Sequence, residues 1–318
     1  MTAPNDHLQT TRNRREFIKK SVLASGVFIV PRHVLGGVGY TPPSDQLVLA
    51  AIGCGGKGRS DIRNATGGMH RVAALCDVHP GADHGVAETV ADFPNARFYT
   101  DFREMLDKEA DIDAVTISTP DHTHAPAAVR AMQQGKHVYV QKPLTHNIRE
   151  ARLLTEMARE YRIVSQMGNQ GASNPAQAQI GQWVKEGVIG PVEKVYVWTN
   201  RPVWPQGVPF PAPDPPQKPA DLDWDLWLGP AALMPFTPNI HPFNWRGWWQ
   251  FGTGALGDMG CHIIDIPFKA LGLKYPTDVE CSVSSIYRQM WTQEIIPEAC
   301  PVSSMITLHF QPTPVNDV

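Results

Sequence analysis

One junction constrains this chain more than any other: the unbroken apolar run Leu47-Val48-Leu49-Ala50-Ala51-Ile52 passes directly into Gly53-Cys54-Gly55-Gly56-Lys57-Gly58. A run without polar alternation suits a strand buried on both faces, as in a parallel sheet covered by helices. G-x-G-x-x-G at the end of such a strand predicts a tight turn into a helix. The glycines let the backbone approach a pyrophosphate, and the N–H groups at the helix start meet its charge. Alone the motif is weak, but a second apolar run, Val72 to Cys76, ends in Asp77, 19 residues after Gly58. A carboxylate there accepts hydrogen bonds from the adenosine ribose hydroxyls and repels a 2′-phosphate, which favours NAD over NADP. The plainer reading of Asp77 is a strand-end turn residue.

The alternation continues. Arg97-Phe98-Tyr99 reads as a short strand and Asp101 to Lys108 as a helix. Ala114 to Ser118 is a β-branched strand, with a helix near Ala125 to Gln134, and Val138-Tyr139-Val140 is another strand. Asn147-Ile148-Arg149-Glu150 has the form of a capping box before a helix reaching Tyr161, and Ile163 to Gln166 closes the set. Strands alternating with helices predict an α/β, doubly wound parallel sheet. Ligands of such sheets sit beyond the C-terminal ends of the strands. The polar clusters fall there: Thr119-Pro120-Asp121-His122-Thr123-His124, Gln141-Lys142-Pro143 and Met167-Gly168-Asn169-Gln170.

Past residue 170 the pattern changes. Pro175 to Gly187 reads as a helix, and Val192 to Asn200 alternates like an antiparallel strand. Residues 202–242 hold 12 of the 29 prolines, which excludes long regular elements there. Seven of the nine tryptophans lie between Trp198 and Trp249. Either they pin an irregular segment by burial or they form an aromatic surface for sugar rings. A glycine-rich stretch then leads to Asp258, His262 and Asp265, spaced i, i+4, i+7 and so on one face of a helix. Three readings stay open: an acid–base pair, a set of metal ligands without supporting Cys or Glu-x-x-His, and helix-cap or surface residues. The glycines ahead of Asp258 favour a functional site, because they let backbone approach a ligand.

With 28 basic against 31 acidic residues the net charge is −3, which leaves no electrostatic footprint for nucleic acid, and 42% hydrophobic content argues against disorder. The longest apolar run, Ser21 to Val30, is about half the ~20 residues that span a bilayer, so no transmembrane span is expected. Arg14-Arg15-Glu16-Phe17-Ile18-Lys19 before Val22 to Val30 reads as a twin-arginine export signal, the alternative being an amphipathic first helix. Cleavage near Val34-Leu35-Gly36 or retention as an uncleaved anchor both fit; the expected location is the periplasm. Five cysteines are too few for a disulfide scaffold, with Cys281–Cys300 the one pairing to test. The expected division is a signal segment at 1–36, an NAD-binding Rossmann domain at 45–170, and a substrate and oligomerisation α/β domain at 171–318.

The glycine loop, Thr119-Pro120 with His124, Lys142-Pro143, Trp245-Arg246 and Asp258-x-x-x-His262 occur here in the order in which they occur in the Gfo/Idh/MocA family of NAD(P)-dependent oxidoreductases. The chain resembles that family from Leu47 to at least Phe310. The resemblance implies a Rossmann domain followed by an α/β domain with an open, mainly antiparallel sheet that commonly forms a homo-oligomer interface. It implies that Lys142, Asp258 and His262 are catalytic, and that Gly53, Gly55, Gly58, Asp77, Thr119, Pro120, His124, Gln141, Lys142, Asn169 and Arg246 contact NAD. No metal is implied.

On this reading His262 exchanges the hydroxyl proton of a sugar or polyol, Lys142 binds the reacting oxygen, and Asp258 holds the His262 tautomer. The family's usual Glu-Lys-Pro is here Gln141-Lys142-Pro143, which removes a negative charge beside the lysine. The second domain offers only about three sheet strands, at Val192–Asn200, Val279–Tyr287 and Ser304–Phe310, and reads as incomplete. Rival expectations are a redox-neutral reaction through a keto-sugar (epimerisation, elimination or glycosidic cleavage), a non-catalytic carbohydrate-binding protein with a vestigial nucleotide site, and a metal-dependent hydrolase.

Overall fold

A computed structural model describes residues 42–81 and 84–317; the proposed signal segment at 1–36 lies outside them. Contacts divide the chain after Gln46. Of the first part only the 3-10 turn Pro43–Asp45 bears description, and Leu47–Val318 forms the second unit.

Strand β1 (Val48–Ile52) carries the apolar run, and its side chains divide between two cores. Ala50 and Ile52 face one hydrophobic cluster, while Leu49 and Ala51 face the other. Both faces are therefore buried, as the missing alternation required. Helix α1 (Lys57–Thr66) begins at the glycine turn and stops at Gly67, whose φ of 51° sets a left-handed C-cap. The alternation then delivers β2 (Arg71–Cys76), α2 (Val86–Asp92), β3 (Arg97–Tyr99), α3 (Phe102–Lys108), β4 (Ala114–Ile117), α4 (Asp121–Gln133), β5 (His137–Gln141), α5 (Ile148–Glu160) and β6 (Ser165–Gly168). Asn147 and Glu150 form the capping box read from the sequence.

The six strands pair in parallel in the order β3-β2-β1-β4-β5-β6. Strand order reverses between β1 and β4, where Ile52 pairs with both Cys76 and Ile117. That reversal opens the crevice in which such sheets bind ligands.

Beyond β6, α6 (Pro175–Lys185) forms as read, with Asn174 capping it through Ala176 N–H. The expected strand at 192–200 does not form: Val195, Tyr196, Val197 and Trp198 are all exposed, with Trp198 at 81%. Alternation specifies a strand only where a partner edge accepts its hydrogen bonds, and no described strand lies beside this one.

The proline- and tryptophan-rich stretch builds a core of its own. Leu222, Trp224, Trp227, Trp245, Trp248 and Phe251 are buried together around α7 (Trp224–Leu228). The Trp224 and Trp227 rings stack at 4.7 Å, and Trp248 lies on Phe210 at 5.2 Å. Burial, not a sugar-facing surface, accounts for most of these aromatics; Trp249 and Trp198 remain exposed.

Helices α8 (Gly254–Ile263) and α9 (Asp265–Ala270) follow, then β7 (Asp278–Val283), β8 (Ile286–Gln289), β9 (Thr292–Glu294) and β10 (Ser304–His309). The last four form two antiparallel pairs, β7 with β10 and β8 with β9. The Cys281–Cys300 pairing is absent: both thiols are free, Cys281 exposed and Cys300 buried. Among the described residues no helix is long and apolar enough to cross a membrane.

Candidate active site

The glycine loop is as close-packed as its motif demands. A Cβ on Gly58 would lie 1.9 Å from the Gly53 carbonyl oxygen, and one on Gly53 (φ 74°) would lie 2.8 Å from the Ser118 carbonyl. A Cβ on Gly55 would strike the His84 ring at 2.4 Å. Asp77 closes the loop from β2: its Oδ2 accepts from Cys54 N–H and its Oδ1 from His79 N–H, both at 3.1 Å. With the Gly55 backbone also beside this carboxylate, the two oxygens together still keep acceptor capacity that ribose hydroxyls would use. Burial raises the Asp77 pKa, against the hydrogen bond from His79. Burial also pushes the Cys54 thiol far up, so it is no nucleophile.

At the far side of the crevice, Asn169 donates through Nδ2 to the Cys261 carbonyl at 2.7 Å, while its buried Oδ1 has no partner within the protein. The glycine cradle, the spare Asp77 acceptors and this orphaned amide oxygen fit a dinucleotide. Gly53, Gly55, Gly58 and Asp77 would hold its phosphate and ribose end, and Asn169 would meet its other end.

The segment after β4 works differently from its expected role. His124 is buried, with Nδ1 2.8 Å from the Pro143 carbonyl and Nε2 2.8 Å from the Thr119 carbonyl. Neither ring nitrogen is left for a ligand, so His124 positions Thr119-Pro120 and Lys142-Pro143 rather than touching NAD. Burial holds its pKa at about 4, against those two carbonyls.

The neighbouring residues grip the entry to α8. The Phe251 carbonyl accepts from His122 N–H at 3.3 Å, and the Gly252 carbonyl from His146 Nε2 at 3.2 Å. Thr253 Oγ1 donates to Asp121 Oδ2 at 2.9 Å. Three consecutive residues are thus tied to α4 and to the loop before α5. Asp121 is fully buried, and desolvation raises its pKa to about 7.

These ties bring α8 against the end of β5. Lys142 Nζ donates to Asp258 Oδ1 and to the Asp258 carbonyl, both at 2.8 Å. Arg246 Nε reaches the same Oδ1 at 3.2 Å, and its guanidinium lies over Trp245 at 4.2 Å and Phe243 at 4.6 Å. The Asp258 carboxylate is therefore shared by two cations rather than spent on holding the His262 tautomer.

The His262 ring instead has the Gln170 backbone beside it. Desolvation first, then the Lys142 ammonium, lower its pKa, so the ring is neutral at neutral pH and able to accept a proton. Asp265 starts α9 and pairs with Lys269, outside this group. Among the described residues no set of three or more His, Cys, Asp and Glu side chains is arranged to hold a metal.

Gln141 has a partner the sequence did not disclose. Its Nε2 donates to Asp61 Oδ2 at 2.8 Å, and Asp61 also pairs with Lys57 and accepts from Ser118 Oγ at 2.9 Å. The negative charge missing at position 141 is thus present one side chain further away, on α1. Also missed was a histidine contact at the β2 end. His79 Nδ1 lies 2.8 Å from His241 Nε2, with Asp221 on the other His79 nitrogen at 3.4 Å. These partners are about 140 to 160 residues apart in sequence, and no spacing signals them.

Fold and site together define a nucleotide-binding Rossmann protein whose second part delivers a carboxylate to a lysine at the C-terminal end of β5, with an imidazole one helical turn further along the same helix. A family profile described as the oxidoreductase family's NAD-binding Rossmann fold matches residues 48–169, and one described as its C-terminal alpha/beta domain matches residues 186–289. The chain belongs to the Gfo/Idh/MocA oxidoreductase family.

It is 28% identical over 181 residues to levoglucosan dehydrogenase of Pseudarthrobacter phenanthrenivorans, a match covering 57% of this chain and 38% of that protein. It is 31% identical over 178 residues to glycosyl hydrolase family 109 protein 1 of a Shewanella species, covering 52% and 38%. The matched part thus spans about two fifths of the length of these curated relatives. Among solved structures, an inositol dehydrogenase homolog from Azotobacter vinelandii, complexed with NADH and myo-inositol, shares the fold at a TM-score of 0.56. It is 20% identical, and the match covers 84% of this chain and 61% of that one.

Proposed function

We propose that this chain is an NAD-dependent oxidoreductase that moves a hydride between the nicotinamide and a hydroxyl-bearing carbon of a sugar or polyol. The observation that carries this reading is the meeting of Lys142 and Asp258 at 2.8 Å, at the C-terminal edge of the sheet, with His262 one helical turn beyond Asp258. When bound, NAD supplies the hydride acceptor. Lys142 spends two of its three N–H donors on Asp258, and the third is available to the reacting oxygen, which it polarises as a carbonyl forms. Neutral His262 takes the hydroxyl proton. Arg246 and Lys142 fix Asp258, so the ammonium is held in place before substrate arrives.

The match to proteins named glycosyl hydrolases favours a second reading of the same site. Transient oxidation to a keto-sugar acidifies the adjacent C–H and permits elimination, epimerisation or glycosidic cleavage with no net redox change. Two further readings rest on sequence and exposure. Arg14-Arg15 ahead of a short apolar run supports twin-arginine export to the periplasm, with the dinucleotide retained in the protein. The exposed strands β7 and β10 support homo-oligomer formation through that sheet.

The test is a panel of sugars and polyols, levoglucosan and myo-inositol among them, run on the full chain with NAD absorbance followed. Lys142→Ala and His262→Ala should each lower kcat by at least about 100-fold while NADH fluorescence still reports binding. Near wild-type turnover in either variant refutes the assignment. Bound NADH that turns over with no member of the panel, yet changes fluorescence on sugar addition, supports the binding-protein alternative.

A further inference from the structure

We propose that Asp61 is a positioning residue for this site: its carboxylate fixes which way the Gln141 amide faces, and through that amide it sets the Lys142 backbone and the Gln170 side chain. The inference rests on the reading of Lys142 and His262 given above. It concerns residues on three separate elements, α1, the end of β5 and the loop after β6.

Asp61 and Gln141 are each only 5% exposed, so water cannot repair a wrong contact between them. An ionised carboxylate only accepts hydrogen bonds, so Gln141 must present its NH2 group to Asp61 Oδ2, 2.8 Å away. The amide oxygen then points the other way. It accepts the Lys142 N–H at 3.2 Å and the Gln170 side-chain NH2 at 2.9 Å. A reversed amide would set oxygen against carboxylate on one side and NH2 against two N–H donors on the other.

Packing also opposes rotation, since a Cβ on Gly168 would already lie 2.7 Å from Gln141 Nε2. Asp61 is itself held by Lys57 and by Ser118 Oγ, so it ties the ends of β4 and β5 together. The Gln170 backbone, whose side chain is held in this way, lies beside the His262 ring. A single carboxylate on the glycine-loop helix thereby orients the backbone that carries the ammonium, although it does not itself reach Lys142.

The test is a charge-exchange cycle on the full chain: Gln141→Glu, Asp61→Asn and the two combined. Gln141→Glu sets two carboxylates against each other and should lower kcat by about 10- to 100-fold, with KM for NAD within about threefold. In the double variant the new amide at position 61 donates to the new carboxylate at position 141. The other oxygen of that carboxylate keeps the Lys142 N–H and the Gln170 side chain, and kcat should return to within about threefold of wild type. A double variant as slow as Gln141→Glu overturns the proposal, as does a Gln141→Glu variant that loses thermal stability but keeps its kcat.

A second readout does not depend on turnover. In Asp61→Ala, exchange of the Lys142 backbone amide, followed by NMR, should accelerate by at least about tenfold as its acceptor is freed to rotate. An unchanged exchange rate refutes the relay. Accelerated exchange in a protein that oxidises no polyol upholds the relay and rejects the functional reading alone.

Discussion

Replacing Gly58 by alanine tests the phosphate cradle where its geometry is tightest. The added Cβ would sit 1.9 Å from the Gly53 carbonyl oxygen and 3.2 Å from Ser118 Cβ, whereas ordinary contacts begin at 3.4 Å. Relief requires the start of α1 to retreat from β1 by about 1.5 Å, the difference between the closest approach and an ordinary contact. Overpacking of this kind costs about 1–3 kcal/mol of stability. The retreat also carries the N–H groups at the helix start away from the pyrophosphate. Losing one charge-assisted hydrogen bond, about 1.5–3 kcal/mol, corresponds to about 10- to 150-fold weaker binding.

Gly56→Ala is the matched control. At φ 50° and ψ −115° it strains the backbone, by about 1–3 kcal/mol, but a Cβ there meets nothing within 4 Å. That strain is present with and without ligand, so affinity should stay within about threefold of wild type. NADH titration by fluorescence, with a thermal melt of each variant, gives both quantities. Gly58→Ala binding NADH as tightly as wild type, or Gly56→Ala losing more affinity than Gly58→Ala, would show that close helix–strand approach does not shape the site.

Acid should destabilise this fold before most carboxylates titrate. Burial first holds His122 and His124 neutral with pKa values of about 4, and His241 at about 3, against an ordinary 6.5. Between pH 6.5 and 4 the unfolded chain therefore binds more protons at these rings, and stability falls as pH falls. Asp121, raised to about 7 from 3.8, and Asp77, also raised by burial, oppose this with protons of the other sign, while His262, lowered by desolvation, adds to it. The net slope is about two protons, roughly 3 kcal/mol per pH unit at its steepest. Urea unfolding that shows equal or greater stability at pH 5 than at pH 6.5 would contradict these burial effects. Trp248→Ala should cost about 3–5 kcal/mol and lower Tm sharply. Trp248 is 1% exposed, stacks on Phe210 and donates to the Val208 carbonyl, so a variant melting at the wild-type temperature would remove it from the core.

The Rossmann half was legible because its signals are local. An unbroken apolar run, a glycine turn and a capping box each state a backbone requirement within a few residues, and β1, α1 and α5 follow from them. Spacing likewise put Asp258 and His262 on one helix. What spacing cannot carry is the choice of partner. Asp258 pairs with a lysine 116 positions away, and Gln141 with a carboxylate 80 positions away. Both pairs are made by sheet order and helix docking. Residues 192–200 show the converse failure: their alternation is real, but a strand is a relation between two segments, and no described strand stands beside them. The tryptophan-rich core escaped for another reason, because residues held by prolines and turns have no period to read.

The grip of Asp121, His122 and His146 on Phe251, Gly252 and Thr253 welds the lysine-bearing edge and the histidine-bearing helix into one rigid jaw. A cleft hinged at that seam would have to break three bonds, one between buried residues and two half-buried. The seam therefore favours a cleft that opens elsewhere over one that hinges here.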